Sequence, residues 1–358
     1  MPDELNPRHL RARLLQLAGL IGVVAIVVWL APGLGSLRTR FEHASAGWLA
    51  LGVVAEVFST LSYVVIFRAV FCQRMPWKIS YQIGMAEQAA NSLLPAGGAG
   101  GLALGAWALR RGGMSVDHIA RRTVAFFLLT SLANVGVLIV FGLAYAVGIF
   151  GAVPAPGLTY GFTAAGIVAT AVTLALPALT ARIAGRRGRR PPATGRVKKA
   201  LRATTDALGD GVRDTILLLR QRQLAVAVGS LGYLGFDIAA LGASFAAFGH
   251  RPAFAVLVVA YIIGQIGGLL PVPGGLGGVE GGLIGTFVLY HVPVAYASVA
   301  VLAYRALALW IPALLGSVAF VQLRRTLRAE EQPAVVCQPL AEPIELMRLG
   351  RTRDATSA

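Results

Sequence analysis

The chain has 358 residues, of which 56% are hydrophobic and only 13% charged, with a mean hydropathy of +0.69. A soluble surface needs about a quarter of its residues charged, so a soluble globular chain and a wholly disordered one are both excluded. The net charge of +16 would suggest nucleic acid on a soluble protein, and its placement along the chain decides that question.

A spanning helix needs about 20 mostly apolar residues. The first predicted span lies within 14–37, follows Arg8, Arg11 and Arg13, and ends near Ala31-Pro-Gly33. Its apolar run is long for a signal-peptide core and no clean Ala-x-Ala site follows, so an uncleaved anchor is expected. The second span, about 46–70, carries Glu56 and Arg68. The stretch 79–109 has a proline-glycine break in its middle. It is too long for one helix and short for two full spans, so a re-entrant pair of half-helices fits. No charge occurs from Thr123 to Ala181, and Gly151-Ala-Val-Pro-Ala-Pro-Gly157 divides that run into two spans joined by a tight turn. A fifth span over about 224–248 carries Asp237, a second broken stretch covers 252–290, and the last span, about 294–323, carries Arg305. The expected fold class is an all-α polytopic membrane protein, with about six spans and two broken re-entrant helix pairs.

Cytoplasmic loops of membrane proteins carry the excess of Lys and Arg. If the N-terminus, 71–79, 110–122, 182–222 and the tail after 323 are cytoplasmic, those segments hold 27 of the 32 Lys and Arg residues. Both termini are therefore expected in the cytoplasm, and the expected location is a bacterial plasma membrane crossed several times. The basic loop around Arg186-Arg-Gly-Arg-Arg-Pro-Pro has no interleaved aromatics, so no nucleic-acid partner is expected. Topology-setting charge explains it better than a specific headgroup site. The organisation reads as a short N-terminus (1–13), a membrane domain (14–323) containing the basic loop 182–222, and a disordered tail (324–358) in which six arginines mix with five acids.

The two broken stretches resemble each other. Leu93-Leu-Pro-Ala-Gly-Gly-Ala-Gly-Gly101 and Leu269-Leu-Pro-Val-Pro-Gly-Gly-Leu-Gly-Gly278 share Leu-Leu-Pro followed by Gly-Gly-x-Gly-Gly, with one extra residue in the second. Each follows a span with a buried acid and precedes another span. One is entered from the cytoplasm and the other from outside, which makes an inverted repeat of about 46–147 and 224–323, a common transporter plan. Glycine lets backbone approach a ligand, proline removes donors, and the half-helix beyond the break points N–H groups and a positive dipole end inward. Candidate substrate-binding residues are Asn91, Pro95, Gly97, Gly98, Gly100 and Gly101 at the first break. Pro271, Pro273, Gly274, Gly275, Gly277 and Gly278 are their counterparts at the second. Close helix packing through small-xxx-small spacing is the competing reading.

Intramembrane charge is the other signal, since each such group costs about 2.5–3.5 kcal/mol on insertion scales. Glu280 and Arg305 are candidate site residues, with a structural ion pair between them equally open. Glu56, Glu87 and Asp237 are candidate polar or coupling groups, and Glu87 is expected near the cytoplasmic interface, where its cost vanishes. Asn91, Gln88 and Gln265 are expected to hydrogen-bond a headgroup or exposed backbone. Nucleotide-binding and zinc-hydrolase motifs are absent. The five histidines are scattered, and Cys72 and Cys337 are too few for a metal site or a disulfide framework. No catalytic residue, metal or cofactor is expected, and the chain does not read as an enzyme.

Pro271-Val-Pro-Gly-Gly-Leu-Gly-Gly-Val-Glu280, with Tyr304-Arg305 in the next span, resembles the signature of the lysylphosphatidylglycerol synthase transmembrane family, also called flippase-like. Asn91-Ser-Leu-Leu-Pro-Ala-Gly-Gly-Ala-Gly-Gly101 with Arg110-Arg-Gly-Gly-Met-Ser115 is similar to its first, looser motif. The resemblance covers about 11–325. It implies a membrane part that moves an aminoacylated phospholipid across the bilayer, with Pro271, Pro273, Gly274, Gly275, Glu280 and Arg305 in its central site. The 35 residues after 323 leave no room for the synthase domain of two-domain relatives, so aminoacyl transfer is not carried over. Where many relatives place an acid and an arginine after the first glycine motif, this chain has Leu102-Ala-Leu-Gly-Ala106. That departure weakens the inference to a lysyl-lipid.

The expected function is ATP-independent translocation of an amphipathic lipid through a midplane site between the two breaks. Expected partners are membrane lipids: an anionic or aminoacylated phospholipid, or a polyprenyl-linked lipid. A second copy of the chain or a lipid-modifying enzyme is a further candidate partner. The alternatives are a membrane-embedded enzyme acting on a lipid-linked substrate and a non-transporting assembly partner for envelope lipid synthesis.

Overall fold

The computed structural model describes residues 41–94, 99–147, 209–221, 224–268 and 275–329, with isolated positions between 149 and 171. The predicted first span, most of the fourth, the basic loop up to residue 208 and the tail from 330 lie outside the described residues. Among the described residues every regular element is helical. The main helices are α1 (Ala46–Phe71), α2 (Trp77–Leu93), α3 (Ala99–Arg111), α4 (Val116–Ala146), α5 (Leu224–Ala247), α6 (Phe254–Gly267), α7 (Gly278–Leu289) and α8 (Val294–Ala329). A further helical stretch covers 209–220.

Four of these helices, α1, α4, α5 and α8, are long and apolar enough to cross a membrane. Their outer faces expose Leu51, Val54 and Phe58 on α1, Val140 and Leu143 on α4, and Leu314, Val318 and Val321 on α8. Helices apolar on every face suit a lipid solvent, where no polar side is required. The other four are shorter. At 1.5 Å per residue, the 17 residues of α2 reach about 25 Å and the 12 of α7 about 18 Å, against about 30 Å of hydrocarbon.

Local chemistry sets the helix starts. Pro76 precedes α2 and Pro293 precedes α8, where a missing N–H costs nothing. Ser115 Oγ accepts the His118 N–H at 3.4 Å, a side-chain cap that starts α4 at Val116, ahead of the uncharged run predicted from Thr123. Arg121 and Arg122 are therefore helical, and Arg122 pairs with Asp214 of the 209–220 stretch at 3.5 Å. Arg68, in the last turn of α1, bonds the Met75 carbonyl at 2.8 Å and lies over the Trp77 ring at 4.4 Å. A cation at a helix C-terminus is favourably placed, so its position inside a predicted span carries little penalty.

The same set of helix pairs recurs on exchange of α1–α4 with α5–α8, although α2 packs on α8 far more extensively than α6 packs on α4. The pairing of α1 with α5 is its own image; α2–α3 exchanges with α6–α7, α2–α8 with α6–α4, α3–α4 with α7–α8, and α1–α2 with α5–α6. The central pair runs antiparallel. Ser45 at the start of α1 donates to Ala247 at the end of α5 at 2.8 Å, Ser59 donates to the Tyr233 carbonyl at 3.0 Å, and Gly229 near the start of α5 lies on Ile66 near the end of α1. A Cβ at Gly229 would come within 2.6 Å of the Ile66 backbone nitrogen, so glycine permits the close crossing. An antiparallel central pair makes the second half run opposite to the first.

Candidate functional site

The helices end on either side of the glycine motifs as expected: α2 stops at Leu93 and α3 starts at Ala99, and α6 stops at Gly267 and α7 starts at Gly278. Pro95, Gly97 and Gly98, and likewise Pro271, Pro273 and Gly274, lie outside the described residues. The flanking residues show how each break is held. At the first, Asn91 Oδ1 in the last turn of α2 accepts the Gly101 N–H of α3 at 2.8 Å. Added Cβ atoms at Gly100 and Gly101 would run into Leu94 and Asn91 respectively. At the second, Gly275 and Gly277 have φ of 67° and 83°, a region that L side chains rarely adopt. Gly267 meets the backbone of Gly278, bringing the end of α6 onto the start of α7.

Glu280 sits on the first turn of α7 and does two jobs. Its Oε2 accepts the Gly277 N–H at 2.6 Å, capping the helix from within, and its Oε1 receives Arg305 Nε of α8 at 2.7 Å. Of the two readings open for these residues, the ion pair is present. Because Asn91 and Glu280 each occupy an N–H near a half-helix start, those starts are partly capped by the chain itself rather than bare.

Residues flanking the two breaks meet at α8. Leu93, the last residue of α2, forms a buried cluster with Ala313, against which Leu276, just before α7, packs, beside the intrahelical Pro312. Proline removes one backbone hydrogen bond from α8 at that level. Gly316, one turn on, lies against the Met85 carbonyl of α2.

The remaining predicted polar residues fall elsewhere. Glu87 is buried within the protein: its Oε2 accepts the Tyr63 hydroxyl of α1 at 3.0 Å, and Gly105 of α3 leaves room for its carboxyl. Gln88 Nε2 donates to the Thr60 carbonyl of α1 at 3.2 Å, and Gln265 is exposed. Glu56 and Asp237 meet at the α1–α5 crossing, with their carboxyls close enough to interact. Asp237 also accepts the hydroxyls of Tyr261 at 2.6 Å and Tyr304 at 2.8 Å. Sequence reasoning named both acids but not their contact. Their separation of 181 exceeds the offset of 176–177 between the glycine motifs by about one helical turn, so the repeat alone does not pair them. The three tyrosines gave no signal either.

Helices apolar all round and paired broken helices define an all-helical, multi-pass membrane protein. The chain matches the lysylphosphatidylglycerol synthase TM region over residues 16–316, and it belongs to that family. No curated protein matches the chain. The family links the protein to membrane lipid metabolism or transport.

Proposed function

We propose that the protein translocates an amphipathic lipid across the plasma membrane without ATP, through a midplane site between the two broken helix pairs. The observation that carries this reading is that Leu93 at the end of α2 and Leu276 just before α7 share one apolar cluster with Ala313 of α8. Irregular backbone at membrane depth is tolerated where protein or a water-filled cavity surrounds it. The α2–α3 and α6–α7 pairs are re-entrant in this reading, entering from opposite faces because α1 and α5 are antiparallel. The Glu280–Arg305 pair stands beside the second break and offers a cation to a phosphate and a carboxylate to an ammonium group. The substrate is an anionic or aminoacylated phospholipid, or a polyprenyl-linked lipid. Alternating access follows from rocking of one half against the other about the α1–α5 crossing.

The test incubates purified protein with phospholipids of several headgroups, in detergent and in liposomes. Leaflet exchange in liposomes with the lipid chemically unchanged supports translocation. A new lipid product formed in detergent, dependent on Glu280, would establish an enzyme instead. A cellular phenotype indifferent to every polar site residue would point to an assembly partner.

A further inference from the structure

The Glu56–Asp237 pair lies outside the proposed lipid site, on the axis about which the two halves exchange. Both residues are buried, at 4% and 6% exposure. Asp237 takes two tyrosine hydroxyls, one from α6 and one from α8. Glu56 Oε2, by contrast, is buried with no N–H or O–H among the described residues directed at it. Two buried carboxyls that face each other favour a proton on one of them, because like charges held close in a dry interior disfavour both being ionised. A shared proton supplies the donor that Glu56 lacks.

We propose that the Glu56–Asp237 pair is a proton-binding site that couples lipid movement to the transmembrane proton gradient, an inference that rests on the translocation reading. Loss of the proton places two negative charges against each other at the α1–α5 crossing and favours separation of the halves. Its return draws them together. The groups facing the pair are Tyr233 from α5, Tyr261 from α6, and Tyr304 and Arg305 from α8. Tyr304 and Arg305 are adjacent, so one turn of α8 touches both centres: Tyr304 holds Asp237, and Arg305 holds Glu280 at the glycine break. A deprotonated pair competes with Glu280 for the Arg305 charge. That competition links proton occupancy to the turn whose Gly277 N–H Glu280 caps. A metal ion is a poorer occupant, since no group of three His, Cys, Asp or Glu residues able to hold one occurs among the described residues.

Two measurements test this on the full chain. The first is infrared difference spectroscopy of the purified protein, reading the C=O stretch of protonated carboxylic acid. Wild type should show such a band, and Glu56→Gln, with Asp237→Asn as the second variant, should each weaken or shift it against the contribution of buried Glu87. If neither variant changes the protonated-carboxyl region, the proton site is refuted. The second measures leaflet exchange in proteoliposomes with and without an imposed pH gradient, at clamped membrane potential. The wild-type rate should change several-fold with the gradient, and in Glu56→Gln the two rates should become equal. Wild-type exchange that ignores pH gradients, or responds to a sodium gradient at equal pH instead, overturns proton coupling while leaving translocation standing. A carboxyl band with no exchange under any gradient would sink the translocation reading, and coupling with it.

Discussion

Glu280 holds the start of α7 through Gly277 and anchors α8 through Arg305, and these obligations make its replacements separable. In Glu280→Ala the cap is lost and Arg305 loses this carboxylate at 11% exposure. Removing one partner of so enclosed a pair should lower stability by about 3 kcal/mol, read as denaturant or thermal unfolding in detergent. In Glu280→Gln with Arg305→Met the amide carbonyl still accepts from Gly277 and no unpaired charge remains, so unfolding should return to near the wild-type value. Lipid exchange should nevertheless stay lost. Full exchange in the double variant would make the pair structural alone. At this scale the sequence was informative about residue type and poor about partners. Glu280 and Arg305 were legible because a charge in an apolar run needs an explanation. The partners of Glu87 were not legible, because its shelter comes from Tyr63, 24 positions away in the chain, and from a missing side chain at Gly105. Neither leaves a mark near Glu87 itself.

The broken helices hold at some glycines and only tolerate others. Gly275 has a left-handed backbone, and its Cβ would approach the Gly268 Cα to 2.9 Å, so Gly275→Val combines strain with collision. Strain of that kind costs on the order of 1–3 kcal/mol, and lipid exchange should be abolished. Gly267→Ala should also fail, because its methyl meets the Gly278 backbone, which cannot rotate away. Gly281 and Gly285 in α7 have open space where a Cβ would go, so alanine there should be neutral or stabilise by up to about 1 kcal/mol. Thermal unfolding of the four variants checks the contrast; equal destabilisation of all four would contradict the packing described here. The element types were readable from apolar runs and Pro-Gly breaks, whereas boundaries followed caps. Ser115 moved the start of α4 back to Val116, and α8 runs on to Ala329 with Arg324 and Arg325 still helical.

At the scale of the whole molecule, the order of packing partners repeats when the two halves are exchanged, and the antiparallel α1–α5 pair inverts one against the other. The repeat was legible because both glycine turns kept the same order of residues. The meeting of Leu93 and Leu276 at the Ala313 cluster was not, since α8 belongs to the second half only. Orientation is open to a direct check. Single cysteines at Gly157 and His291 should react with an impermeant thiol reagent added to intact cells, and one at Gly195 should not, all in a Cys72/Cys337-free background. Labelling at Gly195 from outside would reverse the map. The central claim, that this molecule moves lipid between leaflets at the paired breaks, is tested most directly by leaflet accessibility of fluorescent phospholipids in proteoliposomes without nucleotide. Wild type should expose inner-leaflet lipid to an external quencher well beyond protein-free vesicles, and Gly275→Val inserted to the same density should not. Equal quenching in wild-type, variant and protein-free vesicles would contradict the account.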